Sequence, residues 1–397
     1  MSEVHQNSLD QRVIIALDSF KGSISAAGAS RAFAEGWLRV QPDSTPVIAP
    51  IADGGEGTLQ AFAEAVDGAQ RMPVTVTGPD DVPRQAEWLL LPPSREAPQG
   101  TGVVELASTS GIELLGDRRL PWDAHTRGFG EAIGAALDHG VSRLVLGIGS
   151  SCSTDGGMGL LSALWAEFTD AVGQKVPFGA RGLPLIERVD LAGLRSVPPT
   201  GALVLTDVSN PLLGPNGAAV VFGPQKGFQQ AELSEADAVL AHFAALFAID
   251  SSVAGSGAAG GAGFGLRLWG AQLVPGAEVV TELIGLRKAI RSAAAGPLES
   301  ESWVPPLVVT GEGAYDAQTA GGKGPAHVLR LAQEEGAEVA LVAGRIEADQ
   351  ATDSFAYRLS LTELAGSSAA ALEDPRTWLA VAGEQLARLR VRRDQAG

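Results

Sequence analysis

A short apolar run, then a turn rich in glycine and acid, then a segment of helical periodicity: this succession recurs along most of the chain. Val13–Leu17 leads into Asp18-Ser19-Phe20-Lys21-Gly22, after which Ala26, Ala29, Phe33, Trp37 and Val40 share one helical face. Residues 47–52 lead into Asp53-Gly54-Gly55-Glu56-Gly57, and Leu59, Phe62, Ala63 and Val66 then recur at helical spacing. Phe129, Ile133, Ala136 and Leu137 form a further stripe that stops at Gly140, a natural helix C-terminus. Apolar runs at 144–146, Ala202–Leu205, 307–309 and 339–342 each open into another polar or glycine-rich loop. Strands alternating with helices predict an α/β chain with largely parallel sheets. In such sheets ligands bind beyond the carboxyl ends of the strands, where these loops fall.

At 397 residues the chain exceeds what one core usually serves, so two domains are expected. Residues 79–100, rich in proline and charge, read as turns or an edge hairpin, and 276–306 mixes a helical stretch with a Gly-Pro-Ser connection. The two ends share the same rhythm, which suggests one domain assembled from both. Trp378, Ala382, Leu386 and Leu389 predict a terminal amphipathic helix. A formal charge of −17 argues against nucleic acid and anionic membranes as partners. Cys152 is the single cysteine, so no internal disulfide forms and cysteine-based zinc binding is excluded. No run approaches the length of a membrane span and residues 1–12 are polar, so the cytoplasm is the expected location.

Several loops carry candidate chemistry. Lys21 beside Gly22 could hold a carboxylate or phosphate at a helix start. Asp53 and Glu56, with Gly54 and Gly55 between them, could ligate Mg²⁺ or accept a hydroxyl proton, and the same aspartate could equally be an N-cap. Residues 147–157, Gly-Ile-Gly-Ser-Ser-Cys-Ser-Thr-Asp-Gly-Gly, have the composition of a phosphate cradle, with Gly147, Gly149, Ser151 and Ser153 contributing and Asp155 as its acid. Lys226 follows Gln225 in a Gly-Pro-Gln-Lys-Gly turn, and Lys323 lies in Gly-Gly-Lys-Gly. Gly255-Ser-Gly257-Ala-Ala-Gly260 matches G-x-G-x-x-G, but a poor strand precedes it and no ribose-binding acid follows. No Walker A loop and no G-x-S-x-G elbow is present, and the five histidines lack metal-ligand spacing.

In their order along the chain, these loops resemble the bacterial type I glycerate kinase family. The carriers are Asp18-Ser-Phe-Lys-Gly22, Ile51-Ala-Asp-Gly-Gly-Glu-Gly-Thr58, Glu105-Leu-Ala-Ser-Thr-Ser-Gly111 and Thr126-Arg-Gly-Phe-Gly-Glu131. Downstream stand Asp207-Val-Ser-Asn-Pro-Leu-Leu-Gly214, Gly223-Pro-Gln-Lys-Gly227, Gly257-Ala-Ala-Gly-Gly261 and Gly311-Glu-Gly313 with Asp316-Ala-Gln-Thr319. The resemblance implies two α/β domains with largely parallel sheets. One is flavodoxin-like and discontinuous (1–78 with 285–397), the other (79–284) is inserted into it, and the active site lies in the cleft between them. It also implies ATP and Mg²⁺, glycerate as acceptor, and 2-phosphoglycerate or 3-phosphoglycerate as product.

On that resemblance and the residue chemistry together, Lys21, Asp53, Asp155 and Asp207 are the expected catalytic residues. Gly147, Gly149, Ser151, Ser153, Lys226, Gly257, Gly260, Gly311 and Lys323 are expected to bind nucleotide. Ser19, Gly54, Gly55, Glu56, Arg127 and Gln225 are expected to bind substrate, and Glu312 and Asp316 the metal. Three positions depart from the usual family pattern: Ser150 stands for glycine, Thr154 for asparagine and Ala314 for arginine. They leave open a kinase for a different small hydroxy acid, or a non-catalytic relative that binds glycerate or nucleotide.

Overall fold

The computed structural model describes residues 13–20, 22–295, 304–316, 324–347 and 352–396. Lys21, Lys323 and Thr319 lie outside the described residues. Contacts divide the chain into two compact units, one of residues 1–52, 60–67 and 277–397, the other of 53–59 and 68–276. The sequence-based boundaries at 78/79 and 284/285 differ from this division. Gln70–Thr77 pairs along its whole length with Pro83–Leu91 and therefore belongs to the second unit's sheet.

The first unit is built on a five-stranded sheet in the order Tyr357–Ser360, Glu338–Ala343, Leu307–Gly311, Val13–Leu17, Val47–Ile48. Every pairing in it is parallel. Counted along the chain the order is 2-1-3-4-5, the flavodoxin-like arrangement, with its switch point between Val13–Leu17 and Leu307–Gly311. Alternation explains why Val13–Leu17 is apolar throughout. Val13, Ile15 and Leu17 join a core with Phe33 and Trp37 of helix Ala26–Leu38 and Leu379 and Leu386 of helix Pro375–Ala396. Ile14 and Ala16 face the opposite core, with Leu286, Ile290, Val328 and Leu331. Ser25 caps helix Ala26–Leu38 by accepting from Gly28 N at 3.1 Å. The terminal helix forms as its stripe predicts, except that Leu389 is exposed.

The second unit holds a six-stranded sheet in the order Gln272–Val274, Ala202–Leu205, Arg143–Gly147, Thr101–Glu105, Pro83–Leu91, Gln70–Thr77. The first four strands are mutually parallel and the last two form an antiparallel edge hairpin. Pro73 sits in the outermost strand, where its missing N–H disrupts no ladder between two neighbours. Phe129 and Ile133 of helix Arg127–His139, Phe243 of helix Leu233–Ala245 and Phe264 of helix Ala262–Trp269 are fully buried in this unit's core. Burying each such side chain contributes roughly 1.5–3 kcal/mol. No described helix is long and apolar enough to cross a membrane.

Candidate active site

In the second unit, one loop crosses the carboxyl ends of the four parallel strands. Its anchor points are backbone contacts of residues 53–57. Gly149 N donates to Gly54 O at 3.0 Å, just past Arg143–Gly147. Gly54 adopts φ +97 against Leu205 at the end of Ala202–Leu205, where a Cβ would lie 2.5 Å from the leucine Cβ. Only glycine meets both demands. Beyond the fourth strand, Gly276 packs against the Asp53 carbonyl, and its N–H donates to Asp207 Oδ1 at 2.9 Å. Asp53, Gly54, Gly55, Gly147, Gly149 and Asp207 therefore gather at one edge of the sheet. The Asp53 carboxylate turns the loop by accepting from Gly55 N at 3.0 Å, and Glu56 is exposed beside it.

The remaining anchor is Glu105, at the end of Thr101–Glu105. Its Oε1 accepts from Gly57 N at 2.6 Å, and the Thr58 and Leu59 amides favour its charged form. Glu105 thus fills the N-terminus of helix Thr58–Ala65, where backbone amides and the helix dipole favour an anion. Burial pushes its carboxyl up to about 7, against the opposing pull of those three amides. Sequence reasoning did not place Glu105 among the site residues. The available signal was its position, because it closes an apolar run as Asp53 and Asp207 do.

Loop 147–157 continues inward from the same edge. Ser151 Oγ donates to Ala259 O at 3.2 Å, and Gly156 N donates to Gly260 O at 3.1 Å, so this loop rests on residues 255–261. Lys226, 2% exposed, lies at the junction and donates to Ser153 O and to Ser151 Oγ (3.3 Å). Cys152 donates to Ser110 O at 3.1 Å, and burial pushes its thiol up to about 12, which excludes a thiolate nucleophile near neutrality.

Asp155 is fully buried and its oxygens are committed. Oδ2 accepts from Thr126 N (2.9 Å), Thr126 Oγ1 (2.8 Å) and Gly159 N (3.1 Å), while Oδ1 accepts from Gly157 N (3.1 Å). The carboxylate ties together the starts of helices Arg127–His139 and Met158–Ala163. That is the geometry of a structural clasp, in contrast to the accessible edge position of Asp53. Arg127 pairs with Glu131 at 2.8 Å and lies over the Phe178 ring, and Gln225 is exposed. Gly257 N donates to Asn210 O at 3.0 Å, linking residues 255–261 to the loop that carries Asp207.

The first unit has an acidic edge of its own at its switch point. Asp18 N donates to Gly311 O at 2.8 Å, and Ser19 N donates to Asp18 Oδ1 at 2.6 Å. Glu312 follows directly, its carbonyl accepting from Gly344 N at 3.0 Å, and Asp316 follows the short strand Ala314–Tyr315. Asp18, Ser19, Gly311, Glu312 and Asp316 thus stand at the strand ends where doubly wound sheets bind ligands. Among the described residues, no three His, Cys, Asp or Glu side chains form a metal-holding group.

The sequence profile described as "Glycerate kinase family" matches residues 13–391, nearly the whole described chain. The chain belongs to the glycerate kinase family. It is 37% identical over 346 residues to glycerate 2-kinase of Escherichia coli (strain K12), spanning 85% of this chain and 86% of that protein. It is 38% identical to glycerate kinase of Bacillus subtilis (strain 168), over the same shares of the two chains. A crystal structure from Salmonella typhimurium LT2, carrying a provisional glycerate kinase 2 name, superposes with a TM-score of 0.80 at 33% identity. That match covers 97% of this chain and all of the other.

Against this family background the three departures acquire structural addresses. Ser150 adopts φ +61, a left-handed conformation that glycine takes more readily. Thr154 is buried, and its hydroxyl has no partner among the described residues. Ala314 pairs in register with Arg345, whose guanidinium contacts Glu347 at 3.2 Å.

Proposed function

We propose that this protein transfers the γ-phosphoryl group of ATP to a hydroxyl of D-glycerate with Mg²⁺, giving 2-phosphoglycerate or 3-phosphoglycerate, as a cytoplasmic enzyme of small-molecule metabolism. The observation that carries the reading is the 53–57 loop, anchored over the ends of four parallel strands in a member of the glycerate kinase family. In this scheme Asp53 accepts the hydroxyl proton as the glycerate oxygen bonds to the γ-phosphorus, and the bond to ADP breaks. Asp207, fixed by Gly276, orients the acceptor. Residues 147–153 with Gly257 and Gly260 form the candidate phosphate cradle, with Ser150 as its exposed member.

Glu312 and Asp316 supply hard oxygen donors suited to Mg²⁺, which usually needs only one or two carboxylates beside phosphate and water. Bound there, the ion would neutralise charge on the transferring phosphates. Lys21 and Lys323 remain candidate phosphate ligands, Ser19, Gly311 and Arg127 candidate contacts. Arg345, opposite Ala314, offers a guanidinium at the first unit's edge.

Measuring ADP release in the presence and absence of D-glycerate tests the reading, with Asp53→Asn as the decisive variant. Glycerate-dependent release that collapses in a folded Asp53→Asn protein is the expected result. Full turnover by that variant would remove Asp53 from the base role. One observation favours a different hydroxy acid as acceptor: the buried hydroxyl of Thr154, without a partner among the described residues, stands where the family resemblance implies an amide. A hydroxy-acid panel in the same assay separates the two acceptors.

A further inference from the structure

Lys226 is a buried cation whose hydrogen bonds go to a carbonyl and a hydroxyl, neither of them charged. It ends helix Ala218–Lys226, which Gly227 stops in the left-handed conformation. Its ammonium sits where two glycine-rich loops meet. A Cβ on Gly260 would lie 2.0 Å from Ser153 O and 2.8 Å from Lys226 Nζ, so only glycine permits this approach. Ser151 Oγ, which receives a hydrogen bond from Nζ, passes one on to Ala259 O. The lysine therefore holds Ser151 and Ser153 onto residues 259–260 from the protein side.

At 2% exposure the amino group is enclosed by protein, which favours an indirect part in phosphate binding over the direct contact expected from sequence. We propose that Lys226 is a positioning residue for nucleotide phosphate. It fixes the buried 151–153 turn that supports the accessible stretch Gly149–Ser150, so that this stretch meets the anion, and it places one positive charge behind it. This rests on the reading above that loop 147–157 cradles phosphate.

The titratable neighbours leave room for that role. Burial brings the ammonium down to about 8, with Cys152 and Asp155 acting in the opposite sense. Asp155 is already occupied by Thr126, Gly157 and Gly159. Residues 258–261 carry no titratable side chain. Helix Leu233–Ala245, packed on the lysine's helix, brings Glu235, Asp237 and His242. Asp237 accepts from Gly214 N, and His242 contacts Ile186 O. Arg119 packs at Gly227. Above about pH 7.5 ATP is already fully ionised, so deprotonation of Lys226 there removes charge at the turn while ATP keeps its own.

Calorimetric ATP binding between pH 6.5 and 9.5 tests this on the full-length protein, alongside the Lys226→Met variant, which keeps the stem and removes the charge. For the wild type, affinity should fall by about tenfold as the pH rises through 8, equivalent to about 1.4 kcal/mol. Lys226→Met should bind about tenfold more weakly at pH 7 and show no such fall, while KM for glycerate stays near the wild-type value. Wild-type binding independent of pH would overturn the inference without any variant, even if Lys226→Met fails to fold. A folded variant with wild-type affinity and pH profile would overturn it too, leaving the kinase reading standing. No ATP binding by the wild type at any pH would refute both.

Discussion

Glu105→Gln isolates the cost of keeping one carboxylate buried beneath the 53–57 loop. In the folded chain the Glu105 carboxyl is pushed from 4.5 up to about 7, chiefly by burial. Between those values the folded state holds a proton that the unfolded state has released, so stability declines as pH rises and levels off above about 7. A rise of about 2.5 pH units at about 1.4 kcal/mol each comes to about 3.5 kcal/mol, of which about 2.5 kcal/mol falls above pH 5. Glutamine keeps the shape and one acceptor for Gly57 N but cannot ionise. Urea unfolding of both proteins at pH 5 and pH 8 provides the measurement. Relative to the wild type, Glu105→Gln should gain about 2.5 kcal/mol between the two conditions. The other carboxylates titrate in both proteins and cancel in the difference. Parallel pH dependences would refute the reasoning, because they would mean that Glu105 titrates as it does in the unfolded chain.

Two further predictions concern loop 147–157. Asp155→Asn should lose about 3–5 kcal/mol of stability, seen as a lowered Tm, because it breaks a buried charged cap shared by two helices. Its folded fraction should retain turnover at low temperature; a wild-type Tm with abolished activity would restore Asp155 as a candidate base. Ser150→Gly should stabilise the chain by up to about 1 kcal/mol, because the exposed serine holds φ +61. A loss of stability in that variant would show that the serine side chain does more than tolerate the turn.

The strand–loop–helix rhythm was legible because both faces of the parallel sheets are covered. Runs such as Val13–Leu17 must then be apolar at every position. Asp53, Asp207 and the glycines around them were legible for a related reason, since each closes such a run. Gln70–Thr77 was not, because an edge strand carrying Pro73 and mostly exposed or half-buried side chains shows little apolar signal. The domain boundary moved with that strand. Three assignments depended on contacts distant in sequence. Glu105 meets Gly57 48 positions away, Asp155 meets Thr126 29 away, and Lys226 meets Ser153 73 away. A glycine-flanked lysine reads the same in sequence whether it faces a ligand or supports the loop that does.

Phosphorus NMR of the purified protein incubated with ATP, Mg²⁺ and D-glycerate tests the central claim most directly. The account predicts ADP together with a single phosphoglycerate resonance, whose position reports which hydroxyl accepted the phosphoryl group. ATP left unchanged by folded protein across the working pH range would contradict phosphoryl transfer to glycerate.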